Sequence, residues 1–197
     1  MGIAVNERRK KKLMVFISLS KLNHILSLLV FRNFPSHPLD GNVPFQPPKT
    51  QVFINFGGDQ LRKNFIGYLV DALQRSKVNV FADNYLHIGD DLNELFKKIE
   101  YSGIAVVVFL SRYCESKWCL EELVKIKELV SQDKVKVIPV FYKVTTTNVK
   151  RLKEEFGDNF RDREWEFESD EPKIKRWKDA INYVSHGGNN LWYFFLF

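Results

Sequence analysis

The chain predicts an α/β fold, a doubly wound sheet of parallel strands with helices on both faces. Three observations carry this. Short apolar runs alternate with amphipathic stretches over residues 51–185, the strand–helix alternation of such folds. The run Ile104-Ala105-Val106-Val107-Val108-Phe109-Leu110 shows no polar alternation, so both its faces must be covered, as in a central parallel strand. Gly and polar clusters such as Gly57-Gly58 stand where the strands should end.

Each element follows in order. Gln51-Val52-Phe53-Ile54-Asn55-Phe56 is a strand stopped by the glycines. Arg62 to Gln74 is a helix, with Phe65, Leu69, Ala72 and Leu73 at helical spacing. Val78-Asn79-Val80-Phe81 is a short second strand, and the polar loop Asp83 to Asp90 leads into a helix carrying Leu92, Leu95, Phe96 and Ile99. After the third strand come a helix from Trp118 to Val130, a fourth strand from Val135 to Tyr142, and a helix over Ile174 to Val184. Right-handed crossovers join such strands.

A chain of 197 residues accommodates one domain with extensions. Hydrophobic residues at 45% and charged residues at 27% are a globular balance, and seventeen Phe with four Trp fill a sizeable core. The net charge of +6 does not point to nucleic acid: five basic residues form one run, Arg8 to Lys12, outside the domain. Within it Lys and Glu alternate, as in Lys125-Ile126-Lys127-Glu128, a solvated helix face. No nucleic-acid partner is expected. Two cysteines, Cys114 and Cys119, build neither a disulfide framework nor a zinc cluster, and they fit a reducing, cytoplasmic (or nucleocytoplasmic) location. Asp83, Asp90 and Asp91 match no EF-hand spacing, so no metal site is expected.

The ends differ from the domain, which is assigned to 51–186. Residues 1–50 form a basic and apolar segment followed by a Pro-rich linker, expected to be poorly ordered. Residues 13–31 are the candidate for membrane contact, but Lys21, Asn23 and His24 interrupt them, leaving no span of about 18 apolar residues. The opening Met-Gly lacks the Ser or Thr that myristoylation requires. Residues 187–197 are an apolar tail ending Leu191-Trp192-Tyr193-Phe194-Phe195-Leu196-Phe197, too short to cross a bilayer and suited to packing on the domain or to association.

Ligands of doubly wound sheets sit beyond the carboxyl ends of the strands. Here that edge comprises Phe56 to Asp59, Asp83 to Asp90, Ser111 to Lys117 and the loop after Tyr142. Several segments on it resemble the plant Toll/interleukin receptor (TIR) family. Phe53-Ile54-Asn55-Phe56-Gly57-Gly58-Asp59-Gln60-Leu61-Arg62 stands in the place of the family's Phe-x-Ser-Phe-Arg-Gly-Glu-Asp-Thr-Arg. Ser116-Lys117-Trp118-Cys119-Leu120-Glu121-Glu122-Leu123 resembles its Ser-x-Trp-Cys-Leu-x-Glu-Leu, and Val137 to Val144 its Val-Ile-Pro-Val-Phe-Tyr-x-Val strand. Phe156-Gly157-Asp158-Asn159-Phe160 and Arg176-Trp177-Lys178-Asp179-Ala180 resemble two later helical signatures.

The resemblance implies a flavodoxin-like TIR fold with a central parallel sheet of about five strands, of the TIR-only type, in defence signalling. It also implies NAD+ cleavage at the nicotinamide–ribose bond, with Glu122 as the catalytic carboxylate. NAD+ is then substrate, with no other cofactor, and other TIR domains are the partners. Residues carried over to substrate binding are Phe56, Gly57, Gly58, Asp59, Arg62, Ile88, Ser116 and Trp118. The spacing makes independent sense, since Trp118 and Glu122, four apart, share one side of a helix. Leu123, Ile126 and Val130 turn to the core, and Glu121, about 100° around, faces water. Without the motif, a Glu near a helix start reads as a dipole contact and a Trp as core. The chain departs from the pattern at Gly57 and Ile88, where the family carries Arg, and at Gly67-Tyr68, which replaces its self-associating Ser-His pair. Loss of two cationic groups weakens pyrophosphate binding. A non-catalytic TIR adaptor or decoy is therefore the alternative. A receiver or flavodoxin-like binding protein ranks last, for want of an acidic pair or a hydroxyl-rich phosphate loop at the first strand end.

Overall fold

The structure, a computed structural model, describes residues 51–57, 61, 65–82 and 92–187 in full, and 194–196 by their backbone. The expectations for residues 1–50, and those resting on Gly58, Asp59, Arg62, Asp83, Ile88, Asp90 and Asp91, lie outside the described residues.

Five strands form one sheet in the order β2-β1-β3-β4-β5. They are β1 (Gln51–Phe56), β2 (Asn79–Ala82), β3 (Ser102–Phe109), β4 (Lys136–Tyr142) and β5 (Phe194–Leu196). Every pairing is parallel. Six helices accompany them among the described residues: α1 (Gly67–Arg75), α2 (Leu92–Tyr101), α3 (Lys117–Ser131), α4 (Thr146–Lys150), α5 (Glu154–Glu166) and α6 (Glu171–Ser185). No helix of the described residues is long and apolar enough to cross a membrane.

Side chains of a strand alternate between its faces, so the sheet feeds two cores. Val52, Ile54 and Phe56 of β1 join Val106, Val108, Ile138 and Val140 under Leu69 and Leu73 of α1. Phe53 joins Ala105, Val107, Phe109, Val137 and Phe141 on the opposite face, packed by Leu120, Leu123 and Ile126 of α3 and Trp177 and Ile181 of α6. The unbroken apolar run of β3 is explained by this double cover.

Polar groups at the element ends are satisfied locally. β3 begins two residues earlier than the apolar run, because Ser102 Oγ donates to the Lys98 carbonyl (2.8 Å) and accepts from Gln51 Nε2 (3.0 Å). These bonds allow a buried hydroxyl at a strand start. The last helix begins three residues before the apolar spacing does, at Glu171, since Asp170 caps the Lys173 amide (3.1 Å) and Pro172 fits a first turn. Thr145 caps the short α4 in the same way, through the Asn148 amide (3.1 Å).

The apolar tail set apart at residue 187 contributes to the sheet. Phe194–Leu196 pairs with Val140–Tyr142 as its fifth strand. A run of three residues carries too little period to be read as a strand.

Candidate functional site

The site region forms where β1, the turn after β3 and the start of α3 converge. Three apolar and polar choices in the sequence bring this about. Asn55 lies two residues after Phe53 on β1, shares its face and therefore points toward α3. Ser116 stops the chain in an extended conformation and accepts the Cys119 amide proton (3.3 Å), which starts α3 at the carboxyl edge. Gly57 lets the chain leave β1 close beside this turn: a Cβ there would lie 3.1 Å from the Tyr113 Cα and carbonyl oxygen.

Glu122 lies on the inner side of α3, only 1% exposed. A buried carboxylate needs strong partners, because leaving water costs several kcal/mol. Asn55 Nδ2 donates to Glu122 Oε2 at 2.6 Å, a short bond, and also lies 3.3 Å from the Cys119 carbonyl. The Tyr113 hydroxyl donates to Asn55 Oδ1 and sits 3.2 Å from that same carbonyl. These partners fix the amide orientation: a flipped Asn55 would turn its oxygen onto the carboxylate. Cys119 Sγ completes the cluster by donating to the Phe56 carbonyl (3.2 Å).

The phenol of Tyr113 is held well above its ordinary value of 10.0, first by burial and then by Cys119, Glu122 and Cys114, with only the Asn55 bond opposing. It therefore stays neutral and serves as a donor, not as a base. Burial likewise pushes the Cys114 thiol up, helped by Cys119 and opposed by Arg163. Neither cysteine forms a disulfide, and both pack as small apolar residues.

The residues singled out from the sequence separate here. Trp118 shares a helix side with Glu122 but is 41% exposed; Lys117 Nζ stands 5.5 Å from its ring centre. Phe56 turns its side chain into the α1 core, away from Glu122, and reaches the cluster by its carbonyl alone. Glu121 does not face water freely, as expected, but is half-buried against α6, where Lys173 Nζ approaches to 3.4 Å. α6 covers the flank of α3 that the helical period left to solvent. Asn55 and Tyr113 were missed. The available signal was an Asn inside a strand otherwise apolar from Val52 to Phe56, since a buried polar residue is more informative than an apolar one. A separate cleft of about 590 Å³ opens on the same edge between Ser111, Lys143, Asn148 and Glu154.

Comparison with known proteins agrees with the fold. Residues 49–193 match the model of the TIR domain family. The chain is 48% identical over 160 residues to vesicle-associated protein 1-4 of Arabidopsis thaliana, covering 80% of this chain and 28% of that protein. It is 48% identical over 139 residues to the disease resistance-like protein CSA1 of Arabidopsis thaliana, covering 71% of this chain and 11% of that one. It thus spans under a third of either relative. Among solved structures, the TIR domains of the activated Roq1 resistosome directly recognising the pathogen effector XopQ superpose with a TM-score of 0.64 and 37% identity, over 70% of this chain and 84% of that one. A sheet, a set of motifs and relatives that all agree over the same stretch lead to one conclusion: the chain belongs to the TIR domain family.

Proposed function

We propose that the chain is an NAD+ glycohydrolase of the TIR class, releasing nicotinamide and ADP-ribose or cyclic ADP-ribose-type products in plant immune signal transduction. The observation that carries the reading is the placement of Glu122, at the carboxyl edge of the sheet and turned inward onto β1 rather than outward to water. The C1′–nicotinamide bond breaks with both electrons going to the cationic ring, which leaves as a neutral molecule. No general acid is needed for that departure, so one carboxylate suffices where an ordinary glycoside needs two. Glu122 stabilises the oxocarbenium-like transition state and holds the ribose hydroxyls. Water then adds at C1′ and gives up a proton, yielding ADP-ribose, or an internal nucleophile closes a cyclic product. Trp118 offers a stacking wall, and Phe56, Gly57, Gly58, Asp59, Arg62, Ile88 and Ser116 make up the remaining contacts with NAD+. A cytoplasmic location and association with other TIR domains go with this reading; the assembled state of the Roq1 TIR domains supports the latter.

A second reading, a TIR adaptor or decoy without catalysis, is favoured by specific observations. Gly57 stands where the family carries Arg, and the near-complete burial of Glu122 against Asn55 also suits a structural carboxylate. Incubation of the full chain with NAD+ under crowding, alongside Glu122→Ala, separates the two. The glycohydrolase predicts nicotinamide release that falls about 100-fold or more in the variant. Equal release from both proteins would dismiss Glu122. Absence of release from either, with TIR–TIR binding intact, would establish the adaptor.

A further inference from the structure

We propose that Asn55 is the positioning residue for Glu122, setting the carboxylate in the orientation that the ribose requires. This rests on the NAD+ cleavage proposed above and adds to it a residue outside the assigned site.

Three bonds converge on this one side chain. Its amide nitrogen reaches Glu122 Oε2 (2.6 Å) and the Cys119 carbonyl (3.3 Å), and its oxygen takes the proton of Tyr113. The residue is wholly buried, as are Tyr113 and Glu122 around it. A glutamate on a helix has three side-chain torsions, and helix packing settles only the first. The bond from β1 ties the carboxylate to the central sheet. Positioning of this kind is worth more than its bond alone, because a misplacement of about 1 Å can cost about 100-fold in rate.

Asn55 also stands where the quoted TIR pattern has Ser. A serine hydroxyl ends one bond nearer the backbone, which adds about 1.5 Å to a 2.6 Å contact and breaks it. Serine further offers one proton where the amide offers two. In this chain the carboxylate is therefore held from the strand by an amide where the quoted pattern has a hydroxyl.

The test compares the full chain with Asn55→Ser, and with Asn55→Thr as a second variant suited to a strand should serine unfold the protein. Three readouts are taken: the thermal midpoint, kcat and KM for nicotinamide release, and the side-chain carboxyl carbon resonance of Glu122, assigned by its loss in Glu122→Gln. The expected result is a folded variant whose Glu122 resonance moves, with kcat down about 10- to 100-fold and KM within about twofold. An unmoved resonance, or a moved resonance with kcat unchanged, would overturn the proposal. So would a kcat loss that matches the fraction unfolded. Should the wild-type chain release no nicotinamide while the resonance still moves, it is the glycohydrolase reading that has failed, and the positioning role falls with it.

Discussion

Raising the pH above 9 destabilises the domain through two groups that the fold keeps protonated. Tyr113 and Cys114 are both fully buried, and both are held above their ordinary values of 10.0 and 9.0. For groups raised in the folded state, the stabilisation is complete below the unfolded value and is lost as pH climbs toward the folded one. Between pH 9 and 10 the unfolded chain sheds the Cys114 proton while the folded chain keeps it, which lowers stability by about 1.4 kcal/mol per pH unit. Above pH 10 the Tyr113 phenol adds an equal slope, for about 2.7 kcal/mol per unit together. With a urea slope of about 1–3 kcal/mol per molar, the midpoint should drop by about 1 M or more for each unit above pH 10. Urea unfolding at pH 8, 9, 10 and 11 measures this directly. Tyr113→Phe supplies the internal control: it costs about 1–3 kcal/mol at pH 8, through the Asn55 oxygen left without its proton. Above pH 10 its slope should be half that of the wild type. Identical slopes in the two proteins would refute the argument, because the phenol would then titrate alike in both states.

Other outcomes follow from packing and capping. A Cβ at Gly157 would lie 2.0 Å from the Leu152 carbonyl oxygen, so Gly157→Ala should remove at least about 3 kcal/mol or prevent folding, as thermal unfolding would show. Trp177 is wholly buried with an edge-on contact to Phe167 at 5.3 Å; Trp177→Ala should cost about 3–5 kcal/mol in denaturant titrations. Ser116→Ala removes the cap of α3 and should cost about 1 kcal/mol. A loss below about 0.2 kcal/mol would mean that the first turn finds its partner elsewhere.

Much of this molecule was legible because its strands and helices obey simple periods. The unbroken β3 run located the sheet centre, and the helix expected over Trp118 to Val130, with Leu123, Ile126 and Val130 turned to the core, runs Lys117–Ser131, within a residue at each end. The same period put Glu122 on one side of the helix with Trp118, but not its burial: Trp118 is exposed and Glu122 is buried. What escaped was decided by tertiary neighbours. Glu121 is a solvent position on an isolated helix and becomes half-buried once α6 lies across it. Tyr113 sits in a three-residue turn with no period of its own, and its role exists only because Asn55 meets it from a strand 58 residues away. α4 and α5 follow β4, and the tight link between the two helices has Leu152 and Glu154 both in left-handed backbone angles. Neither residue type announces such a turn, since glycine and asparagine are the usual occupants.

The direction of β5 governs where attachments to the chain emerge. Running alongside β4 in the same sense, it delivers residue 196 to the edge on which Asn55, Gly57 and Ser116 gather, whereas Gln51 enters the sheet from the far edge. A label placed at β5 would therefore sit at the carboxyl edge of the sheet, separated from β1 by β3 and β4. Labels for binding measurements belong on the exposed α5 surface instead, where Trp165 already stands in solvent.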